Sequence, residues 1–538
     1  MKQKKLAILN NILLIFLVLQ PFLDIYMSVV GQKLDIFGFS IATLIRTSFI
    51  VVTFVFIIIY QIKNKIHIKW LYLITAYLIA VGTYGLLHHI NIVNSNGYYV
   101  TSGIYNVTTE ILYLQRLVVP VLLIYNVMIT KPNKDIVEKV LVVVATIVSL
   151  VIIITNIFEV SFASYSQTEG NTMITYNFID WFTNDTIPYR ESLSKGFFVS
   201  ANQIGALLVV LLPIVINCML KENKPYLYLV FFFQIVAMTL IGTRVASLGW
   251  ILICFAMIII YAVLAIIKKQ ISLSSLSICV IMLIIELGTL LYIKSPAQNR
   301  DFAESYEGMY DSEIEEKEEL GEYISLEAFN SMLNDEQLLT EYVGDNVSEK
   351  GLTYDAMCKY ISKTHKYHFI TKKYINVIYP YYDDPEFWLE MFASPIHIRG
   401  DNRARQLEIV KRIKENNNNT VLDTIFGMGA TPMNSRGYMI ENDLISHYYN
   451  LGVIGVILFM FPFVTVILLA LFKVVKKIKI WSCINMEFFA YLLSVCMAYF
   501  VGYFAGHVLD EYIVTIFVAV IAGLMYNSYS GGSFNEKS

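Results

Sequence analysis

The run Val140-Leu141-Val142-Val143-Val144-Ala145-Thr146-Ile147-Val148-Ser149-Leu150-Val151-Ile152-Ile153-Ile154-Thr155-Asn156-Ile157-Phe158 contains no charge, no proline and no glycine. As an α-helix rising about 1.5 Å per residue, it reaches across the roughly 30 Å hydrocarbon layer of a bilayer. Eleven further apolar runs extend the pattern: Leu6–Val30, Phe37–Tyr60, Trp70–Leu87, Ile111–Ile129, Phe197–Leu220, Pro225–Gly242, Val245–Ile267, Leu273–Ile293, Leu451–Phe472, Phe488–Ala505 and Tyr512–Tyr526. Only Thr243-Arg244 separates the seventh run from the eighth, so this pair also fits a re-entrant hairpin. The first run is too long for a signal-peptide core and lacks a small-residue cleavage site, so it reads as retained.

Composition agrees. Of 538 residues, 56% are hydrophobic and 15% charged, where a soluble domain carries about a quarter charged. The expected fold is an all-α polytopic membrane protein of about 12 transmembrane helices. One large extracytoplasmic loop domain is expected between spans nine and ten. This divides the chain into 1–293 (spans one to nine), 294–450 (the loop domain) and 451–538 (spans ten to twelve and a tail).

Lys and Arg set the direction of insertion. Lys2, Lys4, Lys5, Lys63, Lys65, Lys69, Lys131, Lys134, Lys139, Lys221, Lys224, Lys268, Lys269, Lys473, Lys476, Lys477, Lys479 and Lys537 all fall on one side. The opposite short loops hold only Lys33, Arg190, Lys195 and Arg244. Both termini are therefore expected in the cytoplasm and the long insertion outside. That insertion carries sixteen basic and twenty-seven acidic residues, which argues against nucleic acid or an anionic membrane surface as its partner. Its single cysteine, Cys358, cannot form a disulfide framework.

Within the insertion, Asp301–Glu322 reads as a solvated charged face or lid. Tyr374–Phe392 is rich in aromatic rings, which serve either as a small core or as platforms for sugar C–H faces. Arg399–Lys414 has Leu407, Val410 and Ile413 at helical spacing and reads as an amphipathic helix suited to a membrane surface.

Charge inside the spans is costly and points to pairing or to a wet site. Arg46, Arg116, Arg190 and Arg244 all fall in or beside the outer halves of their spans. Asp24 is the expected structural partner of Arg46, and Glu286 a candidate partner for Arg116. Arg190 and Arg244 have no evident acidic partner within the spans and are the better anion ligands, since a guanidinium fork matches phosphate oxygens. Where the insertion ends, Glu441, Asp443 and His447 crowd the approach to span ten. Glu441 is the first candidate for a catalytic base. Its rival is His447 with Asp443, four residues apart on one helix face, where the carboxylate would orient the imidazole.

These residues carry a resemblance. In Glu441-Asn442, nine residues, Gly452-x-x-Gly455, the chain resembles the bacterial O-antigen ligase and O-antigen polymerase superfamily, whose members carry His-Asn/Ser/Gln, nine residues, then Gly-x-x-Gly/Thr/Tyr. Lys195–Gly205, with Asn202, is similar to the family's Gly/Asn-containing approach to a span. Gly242-Thr243-Arg244 is similar to its small-residue/Arg turn. Glu441 stands where the family has His, which brings the chain nearer the polymerase-like members. The resemblance implies glycan transfer from an undecaprenyl-diphosphate donor, with no metal and no cofactor. It implies membrane lipid, the lipid-linked glycan and other polysaccharide-assembly proteins as partners. Diphosphate departure needs positive charge more than a general acid, and the acceptor hydroxyl needs a base.

Three other readings compete. A lipid-linked glycan transporter would place ionisable groups through both leaflets and pair its halves, whereas these arginines lie toward one side. A metal-dependent transferase would draw on Asp35, Asp383, Asp384, His365, His368 or His397, which lack ligand spacing. A scaffold leaves the four arginines without a role.

Overall fold

The computed structural model describes residues 2–30, 35–36, 39–94, 106–165, 171–184, 186–268, 274–298, 323–345, 347–416, 420–430, 440–476 and 485–530. The apolar runs are helices. They are α1 (Lys2–Val30), α2 (Ile41–Asn64), α3 (Ile68–Asn94), α4 (Val107–Thr130), α5 (Lys134–Ile157), the short α6 (Tyr189–Ser192), α7 (Ala201–Glu222), α8 (Pro225–Ile241), α9 (Arg244–Lys268) and α10 (Ser274–Lys294). The insertion contributes α11 (Leu326–Met332), α12 (Glu336–Val343), α13 (Leu352–Thr364), α14 (Pro385–Ala393), α15 (Ile396–Arg399), α16 (Asn402–Asn416) and α17 (Val421–Phe426). The chain then returns through α18 (Asp443–Lys476), α19 (Met486–Ala505) and α20 (Tyr512–Ser530).

Ten of these helices are long and apolar enough to cross a membrane, while α8 and α20 are apolar but shorter. The protein is thus a multi-pass helical membrane protein, whose described residues add a two-residue antiparallel pairing of Asp35-Ile36 with Phe39-Ser40 and isolated bridges of Phe162 with Met173 and Ala163 with Ser194. Exposed Ile8, Ile15 and Phe22 on α1, and Val52 and Phe56 on α2, form apolar outer surfaces suited to hydrocarbon.

Polar caps extend the helices beyond the apolar runs. Helix α5 starts at Lys134 because the Asn133 side chain accepts from the N–H groups of Asp135 and Ile136. The charges this adds are satisfied at that end of the bundle. Lys134 pairs with Glu487 at 2.8 Å, Lys221 pairs with Asp135, and Tyr491 donates to Glu138 at 2.7 Å.

Helix α7 is the buried centre, packed against α5, α8, α9, α19 and α20. Glycines set its neighbours close. A Cβ on Gly249 of α9 would lie 2.6 Å from Val209 of α7, and one on Gly288 of α10 would lie 2.8 Å from Ile235 of α8. Small residues at such crossings let helices gain the dispersion contacts that replace the hydrophobic effect in lipid.

The insertion has its own core of Phe329, Tyr360, Tyr379, Trp388, Phe392, Ile409, Val410 and Ile413. The aromatic stretch therefore serves mainly as core, with Tyr382 left exposed. The membrane-surface reading of Arg399–Lys414 is corrected. Ile409, Val410 and Ile413 of α16 are fully buried in the insertion's core, so its apolar face is already occupied. The charge run Asp301–Glu322 lies, but for its neighbours after 322, outside the described residues.

Candidate functional site

The insertion returns to the bundle through a backbone junction that only glycine permits. Gly427 and Gly452 have φ of 87° and 70°, in the left-handed region. Met428 and Gly429 donate their N–H groups to the carbonyls of Tyr449 and Asn450 at 2.9 and 3.0 Å. A Cβ on Gly452 would stand 2.5 Å from the Ile425 carbonyl oxygen, and one on Gly455 would stand 2.6 Å from the Tyr84 hydroxyl. Helices α3 and α4 hold the junction. Tyr84 donates to the Leu451 carbonyl at 2.5 Å, Asn91 donates to Asp423 and Gly427, and His88 lies between Glu110 (2.9 Å) and the Phe426 carbonyl (2.6 Å).

Past the junction, residues 443–450 are already helical, because Asn442 caps α18 by accepting from Ile445 N–H at 3.0 Å. Asn442 also donates to the Tyr503 carbonyl at 2.8 Å. This start of α18 lies against the turn between α19 and α20, residues 506–511. Gly506 makes the contact possible, since a Cβ there would lie 2.5 Å from the Glu441 carbonyl carbon.

A network centred on Asp510 fills the space so enclosed. One carboxylate oxygen lies 3.0 Å from Arg116 and 3.8 Å from His507 Nδ1. The other lies 3.0 Å from His447 Nε2, close but poorly aligned for a hydrogen bond. His447 Nδ1 faces the Tyr113 hydroxyl at 3.0 Å, and Asn450 reaches Tyr113 at 3.3 Å and Ser446 at 3.1 Å. Arg116 stacks on the Tyr113 ring, 4.5 Å from its centroid. Asp443 accepts from Val508 and Leu509 N–H through one oxygen, at 3.0 and 2.7 Å, while its other oxygen has no hydrogen-bond partner among the described residues.

Burial alone would raise the Asp510 carboxyl. The adjacent Arg116 and His447 outweigh it and hold Asp510 well below the usual carboxylate range. Burial opposes charge on His507, but its contact with Asp510 wins and raises its value.

A second polar group adjoins the first. Arg46 donates to Gln20 Oε1 at 2.9 Å, Asp24 accepts from Val199 N–H at 3.0 Å, and Lys195 Nζ donates to the Val199 carbonyl at 2.9 Å. The Tyr512 and Thr47 hydroxyls meet at 3.4 Å. Glu511 lies within the electrostatic reach of Arg46, Arg116, Asp24 and His507.

Several expectations are corrected by these contacts. Arg46 and Asp24 share a pocket without forming an ion pair, because Gln20 takes the guanidinium and Val199 the carboxylate. Arg116 pairs with Asp510 rather than with Glu286, which is exposed on α10. His447 is faced by Asp510 and Tyr113, not oriented by Asp443, whose bonded oxygen is committed to backbone N–H groups.

The remaining candidates lie around this core. Glu441 pairs with Arg403 at 3.2 Å and accepts from Asn402, with its side chain 38% accessible. Arg190 and Arg244 are exposed, and their segments meet: Ser194 N–H donates to the Leu240 carbonyl, and Leu193 covers Gly242. Asn202 reaches the Ala505 carbonyl at 3.5 Å, joining α7 to the same turn.

Tyr113, His507, Asp510 and Glu511 were not singled out from sequence. The available signal was Gly506-His507-Val508-Leu509-Asp510-Glu511, a short connection with three ionisable residues on the Arg116 side of the bundle. Among the described residues, Asp443, His507 and Asp510 also form a group whose ligand atoms lie within 4.8 Å of one another, a spacing able to hold a cation. Three of the residues considered for a metal are engaged elsewhere: Asp384 binds Arg412 and Tyr379, His365 the Ile370 carbonyl, and His368 Arg399.

A multi-pass helical bundle with a buried ion-pair network at its insertion-bearing end is the class of protein described so far. The family model of O-antigen ligase like membrane proteins matches residues 7–528, and the chain belongs to that family. No curated protein matches the chain.

Proposed function

We propose that the protein is a glycosyltransferase that polymerises undecaprenyl-diphosphate-linked oligosaccharide units on the outer face of the cytoplasmic membrane, in surface or capsular polysaccharide synthesis. The observation that carries this reading is the Asp510–Arg116–His447–His507 network buried at the bundle end that bears the insertion. Both termini are then cytoplasmic, and the network faces the compartment where lipid-linked units are joined.

The chemistry asks for two things. Charge that develops on the departing diphosphate must be met by fixed cations. Arg190 and Arg244 are accessible for this, while Arg116 is committed to Asp510. The acceptor hydroxyl must lose its proton as its oxygen attacks the sugar carbon. No metal is needed in this scheme, because Arg116 already supplies Asp510 with the charge a cation would bring.

Polymerisation is favoured over ligation to a cell-envelope acceptor because Glu441 replaces the His of the ligase-type motif and is engaged by Arg403. The lipid-linked pool of a deletion strain tests this. Single repeat units on lipid should accumulate; full-length polymer on lipid would instead make the protein a ligase. A normal lipid-linked pool beside normal polymer would remove both.

A further inference from the structure

The carboxylates of the network differ in how they are held. Asp510 is faced by Arg116 and His447. Asp443 is fixed by two backbone N–H groups, Asp24 by Val199 N–H, and Glu441 by Arg403 and Asn402. The Glu511 carboxylate makes no hydrogen bond or ion pair with any described residue, and Glu511 is only partly buried. It immediately precedes α20, one residue after the hub, in the field of Arg46 from α2 and Arg116 from α4. Neither guanidinium touches it, because Arg46 is turned to Gln20 and Arg116 to Asp510.

A carboxylate in the field of two cations, yet bonded to neither, has an open side. A phosphate placed there would meet like charge from Glu511, Asp510 and Asp24. A hydroxyl would not. It can donate to Glu511 while the oxygen-rich diphosphate takes the accessible arginines.

We propose that Glu511 is the catalytic carboxylate that receives the proton of the acceptor sugar's hydroxyl. The assignment rests on the glycan-transfer reading above. In the step, the acceptor oxygen forms a bond to the donor's anomeric carbon while the bond from that carbon to the phosphate oxygen breaks. The electron pair leaves on undecaprenyl diphosphate, and the hydroxyl proton passes to Glu511.

The test is single-turnover release of undecaprenyl diphosphate by the purified full-length protein, using a synthetic undecaprenyl-diphosphate-linked repeat unit, with donor binding measured in parallel. Glu511→Gln should lower the rate by about 100-fold or more while leaving donor binding unchanged. Glu511→Asp should recover part of the rate, and the acid limb of the wild-type pH–rate profile should vanish in Glu511→Gln. A Glu511→Gln protein that turns over at the wild-type rate overturns the assignment and leaves the transfer reading intact. So does loss of folded protein in both variants, which would make the residue structural. A wild-type protein that releases no undecaprenyl diphosphate removes both.

Discussion

Arg116 shows how a single side chain ties charge, packing and chemistry together. It is stacked on Tyr113 and paired with an almost fully buried carboxylate, so truncating it leaves Asp510 uncompensated. Losing one partner of a buried pair costs about 3–5 kcal/mol, and the partial exposure of Arg116 brings its cost below that range, to about 2–3 kcal/mol. Arg116→Ala should therefore lower the melting temperature in detergent, and adding Asp510→Asn should restore part of the loss by removing the orphaned charge. Glu441→Gln should behave differently. Its pair with Arg403 is half exposed, and such pairs contribute about 0–1 kcal/mol. Folded yield and most turnover should persist; loss of turnover with donor binding retained would place the base at Glu441 instead of Glu511.

His507 adds a pH dependence whose sign is fixed. Its folded value is raised above the ordinary 6.5 by Asp510, so the stability it contributes is full below about 6.5 and is lost as pH rises through the folded value. Asp510 acts in the opposite direction. Its value is depressed, so its contribution is present above about 3.9 and fades only in acid as pH falls through the folded value. Thermal stability should fall as pH rises above about 6.5, and His507→Gln should flatten that slope. A slope unchanged in His507→Gln would assign it to another group. At this scale the sequence was only partly legible. Glu441, Asp443 and His447 stood out because three ionisable groups crowd one approach to a span, whereas Asp510 acts through Arg116 and His447, which lie on other helices and which no local pattern reveals.

Among the elements, the glycine junction explains the motif spacing in physical terms. The nine residues after Asn442 form the capped first turns of α18, and Gly452 breaks the helix where the 425–429 backbone crosses it. Gly452→Ala should reduce folded protein sharply, since it faces both a left-handed φ and a carbonyl contact. Gly82→Ala in α3, with nothing within 4 Å of the added methyl, should be neutral or gain up to about 1 kcal/mol from helix propensity. Gel-filtration profiles of fluorescently tagged variants would separate the two, and equal losses would contradict the packing account. The spans themselves were readable because a run such as Val140–Phe158 has no other stable place. Their ends were not, since Asn133 and Asn442 extend helices into polar sequence by capping. The apolar face of α16 has the same pattern whether it meets lipid or protein, and only its partners in the insertion's core decide between them.

At the scale of the molecule, charge is sorted between the two ends. A reporter fused after Lys269 or Lys479 should be cytoplasmic, and one inserted at Glu316 should be outside; the reverse at Glu316 would put the network in the wrong compartment for lipid-linked transfer. Chelation should leave activity intact if Arg116 supplies the charge at Asp510. Activity lost with chelator and restored by a divalent cation would instead make Asp443, His507 and Asp510 ligands. The central claim is that this bundle end forms glycosidic bonds at the expense of a diphosphate linkage. It is tested most directly by reconstituting the purified protein in liposomes with undecaprenyl-diphosphate-linked repeat units and analysing both products. The account predicts lengthened glycan and released undecaprenyl diphosphate in equal amounts, abolished by Arg190→Ala and by Arg244→Ala and poorly restored by Lys at either position. Movement of the donor across the bilayer with no new glycosidic bond would contradict it and identify a transporter.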